Sequence, residues 1–210
     1  MKLENMIRKI AVYFVALSFV LGVGMSHAQS KASVLKPPAG AHVAIVEFAD
    51  LECPMCAREN PVLEQAAAKY HVPWMRHDFP LPQHTWSFQA AVNARWFDQE
   101  PKHLGDAYRD AVFANQNNIE TKDDLHQFTE KFAQQHGVAL PFLIDPQGKL
   151  EAEVRADYAL GERLGVHQTP TVWVVTDGGG GAAPYTEVTD FNKLYTMLDE
   201  AVERTSHGKR

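Results

Sequence analysis

Apolar residues in this 210-residue chain switch between short unbroken runs and helix-period stripes. After Pro37-Pro38, the segment Val43-Ala44-Ile45-Val46-Glu47-Phe48-Ala49 is a nearly continuous apolar run of strand length, which predicts a buried strand. Glu47 alone interrupts it. Pro54 to Tyr70 follows as a helix, with Ala57, Val62, Leu63, Ala66, Ala67 and Tyr70 on its apolar face and Pro61 inside it, where a proline predicts a kink. Val72 to Phe79 reads as a second strand, ended by Pro80-Leu81-Pro82.

From Thr85 to about Leu164 the period becomes helical. Trp86, Phe88, Ala91, Val92, Trp96 and Phe97 recur three and four apart. A second helix is expected from Pro101 to Asn115. A third is capped by Thr121 with Asp124 three residues on, and ended by Gly137. Glu151 to Leu164 is the fourth. Phe142 to Gly148 reads locally as a short strand and turn. Beyond Thr169-Pro170, Thr171 to Thr176 is a strong β run. Gly178 to Gly181 makes a turn; with no following helix and no Walker lysine it is not a phosphate loop. Ala182 to Val188 returns as a partner strand, at an edge because of Pro184. Asp190 opens a last helix to about Val202. The order of strands and helices, with a hairpin near the end, suits a small mixed sheet flanked by helices.

The chain carries a formal charge of −6. Residues 1–28 hold Lys2, Arg8 and Lys9 against Glu4, which leaves −8 on the rest and no basic patch for nucleic acid. Those first residues have the form of a secretory signal. A positive start is followed by the apolar run Ile10 to Met25, and Ser26-His27-Ala28 allows cleavage after Ala28. The alternative is a retained membrane anchor, for which the run is short against the roughly 20 residues a span needs. Export means an oxidising compartment.

The only two cysteines are Cys53 and Cys56, placed where the first strand delivers the chain to a helix N-terminus. Free N–H groups and the helix dipole there favour a thiolate on Cys53, and Cys56 one turn on is within reach to close a disulfide. Pro54 suits the first helical turn. A structural bridge this short would close too small a loop to stabilise much. Cys53, Cys56, His71 and His77 also fit a zinc-finger spacing. However, His77 falls in the second strand, and a helix to Tyr70 carries His71 about 25 Å away at about 1.5 Å per residue. Glu47, buried in its strand, should have a raised pKa unless it is paired or lies at an edge.

Together these residues resemble the thioredoxin superfamily, and within it the DsbA-like exported thiol–disulfide oxidoreductases. The resemblance runs from about Val43 to Val202. It rests on Cys53-Pro54-Met55-Cys56 after a strand, on Glu47, on Pro61, on Thr169-Pro170 leading a strand, and on Asp78-Phe79-Pro80-Leu81 with His84. It implies an α/β thioredoxin fold with an inserted helical subdomain, and it assigns Phe142 to Gly148 to the insertion rather than to the sheet. The expected organisation is a signal peptide (1–28), a lead-in (29–41), a thioredoxin-fold domain (42–84 and 165–204), the insertion (85–164) and a tail (205–210).

What the resemblance implies chemically is specific. Cys53 is the nucleophile, Cys56 the resolving thiol, Glu47 a proton acceptor for Cys56, and Pro170 a cis-proline facing the thiols. Thr169, Pro54 and Met55 meet the substrate, Thr169 through backbone pairing with an extended chain. Met55 departs from the histidine of strongly oxidising DsbA enzymes, so a less oxidising pair is expected. His167, three residues before Pro170, lies near the thiols or is an ordinary loop residue; His42 and His84 receive no role. Trp86, Phe88, Trp96 and Phe97 pack the insertion or offer clients an apolar surface. The expected activity introduces disulfides into secreted or periplasmic proteins, with no bound cofactor and no metal. The expected partners are unfolded or reduced proteins and a quinone-linked membrane protein of the DsbB or VKOR kind, with the chain itself a monomer. A reductase or isomerase of the same fold, and a non-catalytic zinc- or client-binding module, stay open as alternatives. An isomerase of the kind with an N-terminal dimerisation domain has no room for that domain before Val43.

Overall fold

Strand β1 (Val43–Ala49) sits at the centre of the sheet and fixes where the functional residues go. The computed structural model describes residues 31–207, so the expected signal segment, and the residues beyond 207, lie outside the described residues. Lys31–Val34 form one helical turn and belong to a unit separate from the one that begins at Leu35, which carries everything below. Leu35 is itself buried, so the polar lead-in contributes one core residue.

The sheet has the order β2-β1-β3-β4, with β2 at Trp74–Asp78, β3 at Thr171–Thr176 and β4 at Tyr185–Glu187. β1 and β2 are parallel, and the other two pairings are antiparallel. The sheet is mixed, and β4 takes the edge that Pro184 indicated. β4 pairs only Tyr185, Thr186 and Glu187 with β3, shorter than the expected Ala182 to Val188.

Helices cover both faces because β1 is apolar on both. Val43 and Ile45 point to one side and pack with Leu63 and Ala66 of α1 (Pro54–Tyr70), with Val172 and Val174 of β3, and with Leu194 and Leu198 of the last helix. Phe48 points to the other side, stacked on His77 and edge-on to Phe79 and Trp173. Four helices lie between β2 and β3: α2 (Ser87–Gln99), α3 (Gly105–Asn115), α4 (Lys122–Gln135) and α5 (Lys149–Leu164). α5 returns over the Phe48 face, where Tyr158 stacks on Phe79 and a Cβ at Gly161 would come within 2.6 Å of the Phe79 ring. α6 (Leu194–His207) closes the unit.

Several boundaries differ from the expected ones. α3 starts at Gly105 rather than Pro101. Residues 100–103 form a tight turn instead, with His103 N–H donating to the Glu100 carbonyl at 2.9 Å and Leu104 N–H to that of Phe97 at 3.0 Å. α4 has the expected start: Thr121 and Asp124 form a reciprocal capping box. Residues 142–148 form no strand; Asp145 instead accepts from Lys149 and Glu151 N–H at the start of α5. Asp190 caps a short 3-10 turn (Phe191–Lys193), and α6 then runs past Val202 into residues assigned to the tail, with Thr205 buried and its hydroxyl donating to the Ala201 carbonyl.

Trp86 and Phe97 are fully buried in the insertion with Tyr108 and Phe132, and Phe88 and Trp96 are partly covered. Among the described residues the large exposed apolar side chains are Phe142, Leu143 and Met55, which the aromatic pattern did not single out. Among the described residues no helix is long and apolar enough to cross a membrane.

Candidate active site

The site forms where β1 ends. Asp50 and its neighbours turn the chain, and Cys53 takes the N-cap of α1 in extended backbone (φ −80°, ψ 119°) with Pro54 in the first turn. Cys53 N–H donates to the Asp50 carbonyl at 3.1 Å, and the Cys53 carbonyl accepts the first helical bond, from Ala57. Proline in the first turn fits because N–H groups there have no intrahelical partner. Both cysteines are free thiols; Cys53 is 6% exposed and Cys56 fully buried.

The two thiols are electrostatically opposite. The Cys56 thiol donates to Cys53 and, with the Thr169 side chain and the N–H groups of Cys56 and Met55, lowers the Cys53 pKa to about 5 against the opposing effect of burial. Burial, and then the neighbouring Cys53, raise Cys56 well above an ordinary thiol. Thr169 flanks the pair. Its carbonyl accepts from Cys53 Sγ at 3.3 Å, and its buried hydroxyl has no other partner, which leaves it free to donate to a thiolate. The Thr169–Pro170 peptide bond is cis.

Glu47 shares its β1 face with Val43 and Ile45, the face under α1. It is fully buried, and burial raises its pKa to about 7. Arg76, its register partner on β2, and the Trp74 indole, which donates to Oε2 at 3.0 Å, pull the other way. Oε1 is buried with no protein partner. The Glu47 charge is among the influences that raise Cys56.

Beside Cys53 a groove of about 630 Å³ is lined by Met55, Arg58, Gln168, Thr169, Pro170 and Glu187, among others. Met55 is 43% exposed at its wall. The structure thus brings Cys53, Cys56, Glu47, Thr169, Pro170, Pro54 and Met55 to one end of the sheet. His167 is exposed and lines a separate cavity with Phe79, Tyr158 and Thr169. His42 stands before β1, at the end away from the cysteines, paired with Asp177. His71 caps the far end of α1, and His77 is in β2 against Asp157. Of the two histidines of the finger-like spacing, one therefore lies at the opposite end of α1 from the thiols and the other on a different element, β2.

Three residues given no role in the sequence belong to the site's framework. The Asp50 carboxylate accepts from Glu52 N–H at 2.7 Å and Leu81 N–H at 2.6 Å, and meets His84 Nδ1 at 2.7 Å. Glu52 accepts from Trp86 N–H at 2.8 Å and Ser87 N–H at 3.1 Å. The acids flanking Leu51 and the phrase ending in His84 were visible in the sequence; their contact is long-range and was not.

Comparison with known proteins agrees with this geometry. The sequence matches the family model described as Thioredoxin over residues 38–181. No curated protein matches significantly. Among solved structures, the chain is similar to a double cysteine-to-alanine variant of alpha-DsbA1 from Wolbachia pipientis (15% identity, TM-score 0.69, covering 86% of this chain and 100% of that one). It is also similar to ScsC from Proteus mirabilis (17%, TM-score 0.62, 97% and 93%) and to a periplasmic thioredoxin-like protein from Salmonella enterica serovar Typhimurium (20%, TM-score 0.61, 80% and 88%). The chain belongs to the thioredoxin family, and its fold is the thioredoxin fold with a helical insertion.

Proposed function

From that membership and the geometry of the thiols, we propose that the protein is an exported thiol–disulfide oxidoreductase that donates disulfides to reduced or unfolded proteins. The observation that carries the reading is the Cys53–Cys56 asymmetry: one thiol is poised to ionise near pH 5, and the other is held protonated beside it. Kinship with a periplasmic thioredoxin-like protein and with DsbA structures supports a periplasmic setting, reached through cleavage after Ala28.

In the oxidised enzyme a substrate thiolate attacks Cys53 Sγ. The Cys53–Cys56 bond breaks, a mixed disulfide forms, and Cys56 leaves as a thiolate. Glu47, with its pKa near 7, supplies the proton that Cys56 takes up. A second substrate thiolate then attacks the substrate sulfur of the mixed disulfide and releases Cys53 as a thiolate, which is a good leaving group because its pKa is low. The substrate leaves with a disulfide, and the enzyme holds two electrons. A quinone-linked membrane protein takes these electrons and restores the disulfide. The extended substrate lies along Thr169–Pro170, with Met55 and Pro54 at its side. The thioredoxin domain of 42–84 and 165–204 carries this chemistry, and residues 85–164 form the insertion of a monomeric enzyme.

The test is the reduction potential in glutathione buffers, with thiol state read by alkylation. A value above about −180 mV supports a disulfide donor, and one near about −270 mV makes the protein a reductase. Cys53→Ser retaining turnover overturns the catalytic reading altogether.

A further inference from the structure

The loop between β1 and α1 is only Asp50-Leu51-Glu52-Cys53, and side chains or carbonyls of its first three residues are tied to other segments. Asp50 holds Leu81 N–H and His84. The Leu51 carbonyl accepts from Gln116 Nε2 at 2.8 Å, just after α3. Glu52 accepts both N–H groups at the start of α2. Hence every tie runs to the entrance of the helical insertion or to the end of its second helix. The Asp50 side chain is fully removed from water, although a buried carboxylate is costly unless its oxygens are satisfied.

We propose that Asp50 and Glu52, with His84, are positioning residues: they hang the cysteine loop on the insertion and thereby set the reactivity of Cys53. They act through the Cys53 backbone. Its N–H is held by the Asp50 carbonyl, and a thiolate on Cys53 depends on the N–H groups of Met55 and Cys56 lying within reach. If the loop loosens, those donors and Thr169 no longer converge on the sulfur.

Asparagine at position 50 is nearly isosteric but carries an NH₂ group. Because Glu52 N–H, Leu81 N–H and the His84 ring converge on the two carboxylate oxygens, the amide must turn a donor toward at least one donor. Loss of the Asp50 charge by itself would make a nearby thiolate easier to form. Charge and positioning therefore predict opposite signs.

The readout is the pKa of Cys53, followed by thiolate absorbance in the reduced full-length protein. It needs no turnover, so it fails or succeeds independently of the redox reading on which the inference's consequence rests. Asp50→Asn is expected to raise that pKa by about one unit, a tenfold fall in the thiolate-to-thiol ratio. The potential should become less oxidising in step. Glu52→Ala is expected to shift it the same way, and Glu52→Gln, which keeps an oxygen for both N–H groups, to leave it near the parent value. A lowered or unchanged pKa in folded Asp50→Asn, or in folded Glu52→Ala, overturns the proposal and leaves these residues a purely structural part. Should Asp50→Asn not fold, the Glu52 pair and His84→Ala decide the matter by the same measurement.

Discussion

Because the two thiols differ so widely, reduction of the disulfide should take up one proton rather than two across most of the physiological range. Cys53 has a pKa of about 5, and burial holds Cys56 far above. Between those limits the reduced pair is one thiolate and one thiol. Reduction by glutathione then consumes the enzyme disulfide and two glutathione thiols, and it yields the half-ionised pair, oxidised glutathione and one free proton. Its equilibrium constant therefore rises tenfold per pH unit from about 5.5 to 8, or about 29.6 mV per unit for a two-electron couple. At pH 7 the thiolate outnumbers the thiol by about a hundredfold, which stabilises the reduced form by roughly 2.7 kcal/mol. The pair is thus about 60 mV more oxidising than it would be with an ordinary cysteine at position 53. The assay is equilibration with glutathione buffers at half-unit steps, acid quench and alkylation. An equilibrium constant that stays flat from pH 5 to 8 refutes the reasoning, because it means that both thiols remain protonated.

Cys56→Ala removes the largest cause of the low Cys53 pKa; a hydrogen bond to a charged group contributes about 1.5–3 kcal/mol, so the Cys53 pKa should rise by about one to two units in a thiolate titration. Met55→His places a cation near the thiolate from a partly exposed position, and about 0.5–1 kcal/mol there corresponds to roughly 10–20 mV toward a more oxidising potential. Glu47 has its pKa raised from 4.5 to about 7, so its ionisation adds no penalty below about pH 4.5 and about 3 kcal/mol above pH 7. Measured by urea unfolding of the disulfide form, Glu47→Gln should accordingly gain up to that amount on the parent between pH 4 and pH 8, and a pH-independent difference would count against ionisation of Glu47. Gly161→Ala forces a Cβ into the Phe79 ring and should lower stability by about 1–3 kcal/mol in the same assay.

What the sequence revealed was local. The strand Thr171–Thr176 and the helix Pro54–Tyr70 begin and end where residue pattern alone placed them, because a β-branched run and a first-turn proline are properties of neighbouring residues. Glu47 was conspicuous for the same reason, as the one charge in an apolar strand. What escaped depended on distant contacts. Pro101 has the chemistry to start a helix, yet the packing of Leu104 back on Phe97 delays α3 to Gly105. Asp50 and His84, thirty-four residues apart, meet only because β1 and β2 run parallel and end side by side. The same holds for the ion network in which Arg95 of α2 bridges Asp78 at the end of β2 and Asp157 of α5 at 2.6 Å each.

The insertion also bears on the chemistry through depth. Cys53 and Cys56 pack with Leu51, Trp86, Ala90 and Tyr108 in the apolar core of the insertion, whereas the sheet core of Ile45, Leu63 and Val174 lies further down α1. Here the core closes over Cys56 completely and leaves Cys53 at its edge, next to the helix N–H groups and the open groove. Desolvation penalises an ion at Cys56 most heavily, whereas at Cys53 hydrogen bonds outweigh it. Burial and the helix N-terminus therefore divide the work: burial in the insertion's core keeps Cys56 protonated, and the N–H groups of Met55 and Cys56, which reach only the N-cap position, together with the Cys56 thiol draw the charge to Cys53.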